Sequence, residues 1–200
     1  SKGYLRNMFF SMAMVCKKYS KAEFVISTGT NLESLRFRSK LAKALGVPIS
    51  KVQGWVGGEH GEAAKILWST TKVNGLSVEE YAKSKSKILD KAEIESYVKS
   101  ISRFIIDNIG GTEYGPAASF RDIVKAVVKN TNEVLAVATP LKFEELPESV
   151  FVSIPVHLGR SIGSSLYDTL SQREKGEIKE AAREIFKTYQ TAIETMNRSV

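Results

Sequence analysis

The stretch that organises this chain is residues 53–62, which read QGWVGGEHGE. It places His60 in a loop whose glycines can adopt backbone angles that other residues avoid, so the chain can turn sharply on both sides of the imidazole. An imidazole has an ordinary pKa of about 6.5 and can donate or accept a proton near neutral pH. The local pattern leaves two interpretations of His60 open: a proton-transfer group, or a polar surface residue in a glycine-rich turn. The other histidine, His157, lies in an apolar run typical of a strand and is interpreted as structural.

Composition indicates a chain with a substantial core. Its 200 residues are 42% hydrophobic, which fits one globular domain or two small ones. No run of about twenty apolar residues is present, so the sequence predicts no membrane span. The single cysteine, Cys16, excludes an internal disulfide and a zinc site built from cysteines, and it fits a reducing, cytoplasmic location. No metal site is predicted.

The charge pattern gives little support to a nucleic-acid partner. The net charge is +7, from 29 basic and 22 acidic residues. These charges are interspersed, as in residues 179–184 (KEAARE), and no compact basic block occurs. The pattern is typical of a solvated surface, so a nucleic-acid-binding function would rest on net charge alone.

Apolar periodicity predicts helices and strands without strict alternation. Helices are predicted at residues 8–18, 31–45, 91–109, 116–129 and 171–196, with a short helix capped by Ser77, and strands at residues 23–27, 52–56, 63–73, 133–138 and 150–157. The strands on either side of His60 are expected to pair as a meander with the histidine at the turn. This order predicts an α+β fold with mixed antiparallel strands packed against long helices.

The helix at residues 31–45 carries a second candidate group. Glu33 and Arg36 are three residues apart, so they point in the same direction from its first turns. Residues 30–33 (TNLE) also fit a capping box, in which Glu33 would fold back onto the amide of the cap residue and Arg36 would be its ion-pair partner. The local pattern by itself favours this structural interpretation. Neither glycine-rich motif for binding a dinucleotide or nucleotide phosphate is present.

Taken together, these segments match a known family. Residues 27–38 read STGTNLESLRFR and residues 57–62 read GGEHGE. They resemble the NAD-dependent malate and lactate dehydrogenase family, in which a G-x-x-L-D-S-x-R-F-R segment opens the central helix and G-E-H-G-D carries the catalytic histidine. The segments YGPAAS (residues 114–119) and VFVSIP (residues 150–155) extend the likeness, as does the long C-terminal helix. The residues of these segments are more similar to the malate branch of the family, and to its archaeal members, than to animal lactate dehydrogenases.

The resemblance implies a division of the chain. Residues 27–200 would be the substrate-binding and catalytic domain. Residues 1–26 would be the end of the dinucleotide-binding domain, formed by an apolar helix and a last strand. The rest of that domain, with its glycine-rich pyrophosphate turn, has no counterpart here. We therefore expect most of the NAD site to lie outside this chain, and the chain alone to be inactive.

The resemblance also assigns roles. His60 would be the acid/base, Glu33 the carboxylate that orients it, and Arg36 the clamp on the substrate carboxylate. Further contacts to the substrate are implied for Asn7 and Thr112, and to the cofactor for Asn7 and Pro116. Glu33 stands where the family usually has aspartate, and no proline follows Asn7 as it does in the family's N-P-V loop.

The function implied is the interconversion of malate and oxaloacetate with NAD. The partners would be a small 2-hydroxy or 2-keto dicarboxylic acid and further copies of the chain, in a dimer or tetramer. Two alternatives stay open: a lactate dehydrogenase of the same family, and a non-catalytic remnant that serves only for association. The missing cofactor domain favours the remnant, whereas the retention of Glu33, Arg36 and His60 argues against it.

Overall fold

Helices and antiparallel strands alternate irregularly in the computed structural model, which describes Met14, residues 25–60 and residues 63–198. In chain order the elements are α1 (Asn31–Leu45), β1 (Val52–Gln53), β2 (Val56–Gly58), β3 (Ala64–Ile66), β4 (Lys72–Val73), β5 (Leu76–Ser77), α2 (Val78–Ser84), α3 (Lys91–Ile109), α4 (Tyr114–Lys129), β6 (Glu133–Leu141), β7 (Val150–Leu158), β8 (Ile162–Ser165) and α5 (Gln172–Arg198). The predicted α+β class is confirmed. Within the described residues, no helix combines the length and apolarity needed to cross a membrane.

The larger sheet is centred on β7. Its strands are ordered β3-β2-β7-β6, with β8 also paired to β7, and every pairing among them is antiparallel. Nearly all of β7 is buried. Because successive strand side chains point to opposite faces, both faces of β7 must be covered. Helices α5 and α4 both contact it, and α5 also contacts β2.

Helix α1 belongs to a second apolar core, which it shares with β1 to β4, α2 and α3. Its side chains Phe37, Leu41 and Leu45 are four residues apart, lie on one face and are fully buried. Burial of each such side chain contributes about 1.5–3 kcal/mol. The helix ends where the sequence predicts, at Gly46 in the left-handed conformation, with Pro48 just beyond.

The strands around His60 are shorter than predicted. The predicted strand at residues 52–56 is two strands, β1 and β2, separated by Gly54 and Trp55. Strand β1 pairs with β4 in a small sheet, whereas β2 pairs with β3 and β7. A 3-10 turn at Trp68–Thr70 likewise divides the strand predicted at residues 63–73. The predicted meander with His60 in the connection is nevertheless confirmed by the β2–β3 pair.

The approach to α1 is unusually close to the sheet. Gly29 has φ +54°, and a Cβ atom there would lie 2.6 Å from the Ser153 Oγ and 2.7 Å from the Ala138 nitrogen. Only glycine fits such a position. Just before it, Ser27 forms an isolated bridge to Ala138, and residues 25 and 26 are not in a strand. The first two residues of the strand predicted at residues 23–27 lie outside the described residues.

Other helix predictions are confirmed or fall outside the described residues. Helix α3 has the predicted bounds. Helix α4 begins at Tyr114, two residues before the predicted start at Pro116. A proline is tolerated in a first turn because the N–H groups there have no intrahelical partner. Met14 is helical and buried in the larger core, while the remainder of the helix predicted at residues 8–18 lies outside the described residues.

Candidate active site

His60 and Glu33 form an ion pair where the start of α1 meets the end of β2. The His60 Nδ1 atom lies 2.7 Å from the Glu33 Oε1 atom. Glu33 is in the first turn of α1 and is almost fully buried, whereas 36% of the His60 side chain is exposed. The histidine is therefore held by a buried carboxylate and remains accessible from outside.

The surroundings of His60 favour its protonated form. The pKa of His60 is raised above its ordinary value, chiefly by the hydrogen bond to Glu33, while burial acts in the opposite direction. Arg36 lowers this pKa and Glu59 raises it, both by smaller amounts. Because Nδ1 faces the carboxylate, exchange of a proton with another molecule would use Nε2.

The capping-box interpretation of Glu33 is wrong. The Thr30 side chain makes no capping hydrogen bond to α1. Its hydroxyl group instead donates to the carbonyl of Val56 and lies 2.6 Å from the Ser153 Oγ. These tertiary contacts replace the local one, and the Glu33 carboxylate faces His60 and not the helix end.

Arg36 lies one turn after Glu33 and close to the start of α4. Its Nη1 atom donates a hydrogen bond to the Ser102 Oγ in α3, and a Cβ atom on Gly115 would lie 3.7 Å from its Nη2. Burial lowers the pKa of Arg36, and the negative charge of Glu33 partly offsets this. Three predicted site residues, Glu33, Arg36 and His60, are thus close enough to affect one another electrostatically.

Of the remaining predicted site residues, the structure describes Thr112 and Pro116 but not Asn7. Thr112 and Pro116 flank Gly115, which packs against Leu32 and Arg36, and both are partly buried. The structure therefore brings the start of α4 beside Arg36. Asn7 lies outside the described residues. Across residues 25–60 and 63–198, no group of three or more His, Cys, Asp or Glu side chains could hold a metal ion. The catalytic and binding roles of the six site residues stay predictions.

Sequence reasoning missed three buried hydroxyl groups beside the ion pair. Thr30, Ser34 and Ser153 are fully buried and lie where α1, β2 and β7 meet. Two signals could have found them. Thr30 and Ser34 bracket Glu33 in the sequence, and Ser153 interrupts an otherwise apolar strand, where a buried hydroxyl group requires a hydrogen-bond partner.

Residues 30–196 match the family described as lactate/malate dehydrogenase, alpha/beta C-terminal domain. The chain belongs to the lactate/malate dehydrogenase family. The resemblance noted from the sequence is confirmed, as is its restriction to the C-terminal half.

Relatives support this assignment. The chain is 40% identical to the malate dehydrogenases of Sulfolobus acidocaldarius and Sulfurisphaera tokodaii over 189 residues, which is 94% of this chain and 59% of each relative. Both are archaeal, so the expected likeness to the malate branch is confirmed. The structure of the L-lactate dehydrogenase from Clostridium thermocellum superposes with a TM-score of 0.81 at 31% identity, covering 92% of this chain and 62% of that one. The chain thus spans about three-fifths of the length of the relatives it matches.

Proposed function

We propose that this chain is the catalytic part of an NAD-dependent malate dehydrogenase that converts malate and oxaloacetate into each other. Residues 27–200 form the catalytic domain, and residues 1–26 form the end of the dinucleotide-binding domain. The observation that carries the proposal is the 2.7 Å contact between the His60 Nδ1 and the Glu33 Oε1, one helical turn from Arg36. The 40% identity to two malate dehydrogenases favours malate over lactate. As in its family, the enzyme would act as a homo-oligomer.

The residues at the start of α4 fit the nicotinamide end of the cofactor. Pro116 lies in the first turn of α4 beside Gly115, which packs against Arg36, so this turn lies next to the site for the substrate carboxylate. Pro116 and Asn7 are the residues proposed to contact the nicotinamide. The sequence has no glycine-rich turn for the pyrophosphate. When bound there, the cofactor would supply the hydride acceptor for malate oxidation and the hydride donor for oxaloacetate reduction.

His60 carries the proton of this reaction. In the reducing direction, Nε2 of the protonated imidazole donates its proton to the carbonyl oxygen of oxaloacetate as C2 receives the hydride. In the oxidising direction, neutral His60 takes the hydroxyl proton of malate. Glu33 favours the charged imidazolium and holds the ring in one orientation, which suits a group that must be protonated when a keto acid binds.

Arg36 binds the substrate carboxylate. Its planar guanidinium group can make two parallel hydrogen bonds to a carboxylate, a geometry that lysine cannot copy. The hydrogen bond to Ser102 uses Nη1 and orients this group from α3. Thr112, four residues before Pro116 and likewise partly buried, is proposed as a further part of the substrate pocket.

The test is an enzyme reconstituted by joining this chain to the part of the S. acidocaldarius malate dehydrogenase that it does not cover. NADH oxidation is measured first with oxaloacetate and then with pyruvate, and oxaloacetate is expected to react faster. His60→Ala should lower turnover by at least about a hundredfold, the scale of general acid–base catalysis. His157→Ala is the matched control, since His157 lies in β7 beside the Asn132 carbonyl and should leave turnover unchanged.

Each outcome discriminates between the candidates. Unchanged turnover in His60→Ala would remove His60 from the mechanism. Faster reaction with pyruvate, although the joined part comes from a malate dehydrogenase, would identify the lactate branch. A folded reconstituted enzyme without any turnover would favour the non-catalytic remnant.

A further inference from the structure

Three fully buried hydroxyl groups link α1 to two strands through a closed set of hydrogen bonds. Ser34 Oγ accepts the N–H of Val56 at 2.9 Å and donates to the carbonyl of Thr30 at 2.8 Å. Thr30 Oγ1 donates to the carbonyl of Val56, so its single hydrogen is used there. Ser153 must therefore donate to Thr30 Oγ1, and its own oxygen accepts the N–H of Thr30 at 3.0 Å. Each hydroxyl group thus donates once and accepts once.

Val56 is the point at which this hydroxyl cluster holds β2. Its N–H donates to Ser34 in α1, and its carbonyl accepts from Thr30, the residue just before α1. Strand β2 pairs with β7 at Gly58, which lies opposite Ser153. At Val56, two residues before Gly58, the hydroxyl groups supply the hydrogen bonds that a neighbouring strand would otherwise make. Buried backbone groups require partners. The distance between α1 and β2 is therefore set by these bonds.

The cluster lies directly beside both members of the ion pair. Glu33 is adjacent to Ser34 in α1, and His60 follows β2 by two residues. Only Gly57, Gly58 and Glu59 lie between Val56 and His60, so a shift of β2 is passed on to the histidine over a few residues. A hydrogen bond weakens steeply when its atoms move apart by more than about half an ångström. The position of β2 against α1 therefore affects whether the imidazole stays within hydrogen-bond distance of the carboxylate.

We propose that Thr30, Ser34 and Ser153 are positioning residues, which hold β2 against α1 so that His60 stays within hydrogen-bond distance of Glu33. The proposal rests on the proposed function, since positioning matters only if this pair transfers a proton. A purely stabilising role would leave the pair intact in any variant that still folds.

The test measures the titration of His60 in the 200-residue chain by NMR. The chain has two histidines, so His157 is an internal reference in every sample. Thr30→Val and Ser153→Ala remove hydroxyl groups with little change of shape, and they leave Glu33, Arg36 and Glu59, the charges that act on His60, in place. In both variants His60 is expected to titrate at a lower pH than in the parent chain, because its contact with Glu33 loosens.

Two control variants distinguish positioning from general loss of stability. Thr30→Ser keeps the hydroxyl group and should titrate as the parent does. Thr71→Val removes another buried hydroxyl group, which donates to the carbonyl of Leu67 at 2.8 Å and has no contact with the cluster. It should leave the titration of His60 unchanged.

The outcomes are separable from those of the proposed function. A folded Thr30→Val chain with the parent titration would overturn the proposal, and so would failure of both Thr30→Val and Ser153→Ala to fold. Glu33→Gln tests the ion pair itself: if it leaves the titration of His60 unchanged, the ion pair and the proposed function fail, whereas a shift in Glu33→Gln with none in Thr30→Val overturns the positioning alone. In the reconstituted enzyme, Thr30→Val should lower kcat by roughly ten- to a hundredfold with little change in KM, the scale of a misplaced catalytic group.

Discussion

Glu33→Asp tests the ion pair by keeping its charge and changing only its position. The family usually has aspartate here, so a backbone free to adapt would accept the change. In this structure the first turn of α1 is held to β2 and β7 by buried hydrogen bonds through Thr30 and Ser34. The shorter carboxylate should therefore retreat by up to about 1.5 Å, one carbon–carbon bond. The 2.7 Å contact would open to about 4.2 Å, beyond the limit of a hydrogen bond.

The size of the effect follows from the two separations. At an effective dielectric constant of about 20, unit charges attract by about 6 kcal/mol at the present distance and by about 4 kcal/mol at about 4.2 Å. The attraction that stabilises the imidazolium thus weakens by up to about 2 kcal/mol. Because 36% of the His60 side chain is exposed, solvent screening reduces the loss to about 1–2 kcal/mol. Above the pKa of His60, the protonated fraction and with it kcat/KM for oxaloacetate reduction should fall roughly five- to thirtyfold.

The assay is the pH profile of the reconstituted enzyme from about pH 6 to about pH 9. Under the proposed function, oxaloacetate reduction needs protonated His60, so its kcat/KM should be high below the pKa of His60 and should fall as the pH rises through it. Malate oxidation needs the neutral form and rises through the same pKa. Since Glu33 raises this pKa, Glu33→Asp should move both transitions to lower pH.

A control and a refuting result complete the test. Glu59→Asp shortens a buried carboxylate adjacent to His60, but Glu59 contributes less than Glu33 to the pKa of His60, so the shift should be smaller. If Glu33→Asp kept the parent profile while Glu33→Gln lost it, the start of α1 would be free to adapt. The reasoning from a held backbone would then be wrong.

Two further predictions concern the substrate clamp and the approach to α1. Arg36→Lys keeps a positive charge but loses the planar fork, so kcat/KM for oxaloacetate should fall roughly ten- to a hundredfold, mainly through KM; an unchanged KM in steady-state kinetics would contradict the assignment. Gly29→Ala should lower the free energy of unfolding by about 2–5 kcal/mol in urea denaturation, because the new Cβ meets Ser153 and Ala138 at a positive φ. Gly75 has φ +83° but open space around it, so Gly75→Ala should lower the free energy of unfolding by only about 1–2 kcal/mol. Equal losses in the two variants would show that the close packing of Gly29 against Ser153 and Ala138 is unimportant.

Elements whose signals are local were predicted well. Helix α3 has the predicted bounds, and α1 ends at Gly46 as expected. Apolar side chains at helical spacing and a glycine in the left-handed conformation act within a few residues of themselves, so sequence order is enough to recognise them. The β2–β3 pair around His60 was recognised for the same reason.

Elements whose bounds depend on distant partners were predicted poorly. The strand predicted at residues 52–56 breaks at Gly54, since β1 pairs with β4 whereas β2 pairs with β3 and β7. The predicted cap residue, Thr30, bonds instead to Val56 and to Ser153, which lies 123 positions away. Local propensity gave no indication of either contact.

The sequence by itself determined the family likeness and the identities of His60, Glu33 and Arg36 as candidates for proton transfer and substrate binding. It left the role of Glu33 open between a helix cap and an ion-pair partner of His60. Only the tertiary structure decided this, since β2 and β7 meet the start of α1 and supply the partners that draw Thr30 away from the cap. Hydrogen bonds between residues far apart in the chain leave no periodic trace in the sequence, so the 2.7 Å contact of His60 with Glu33 could be read only from the folded molecule.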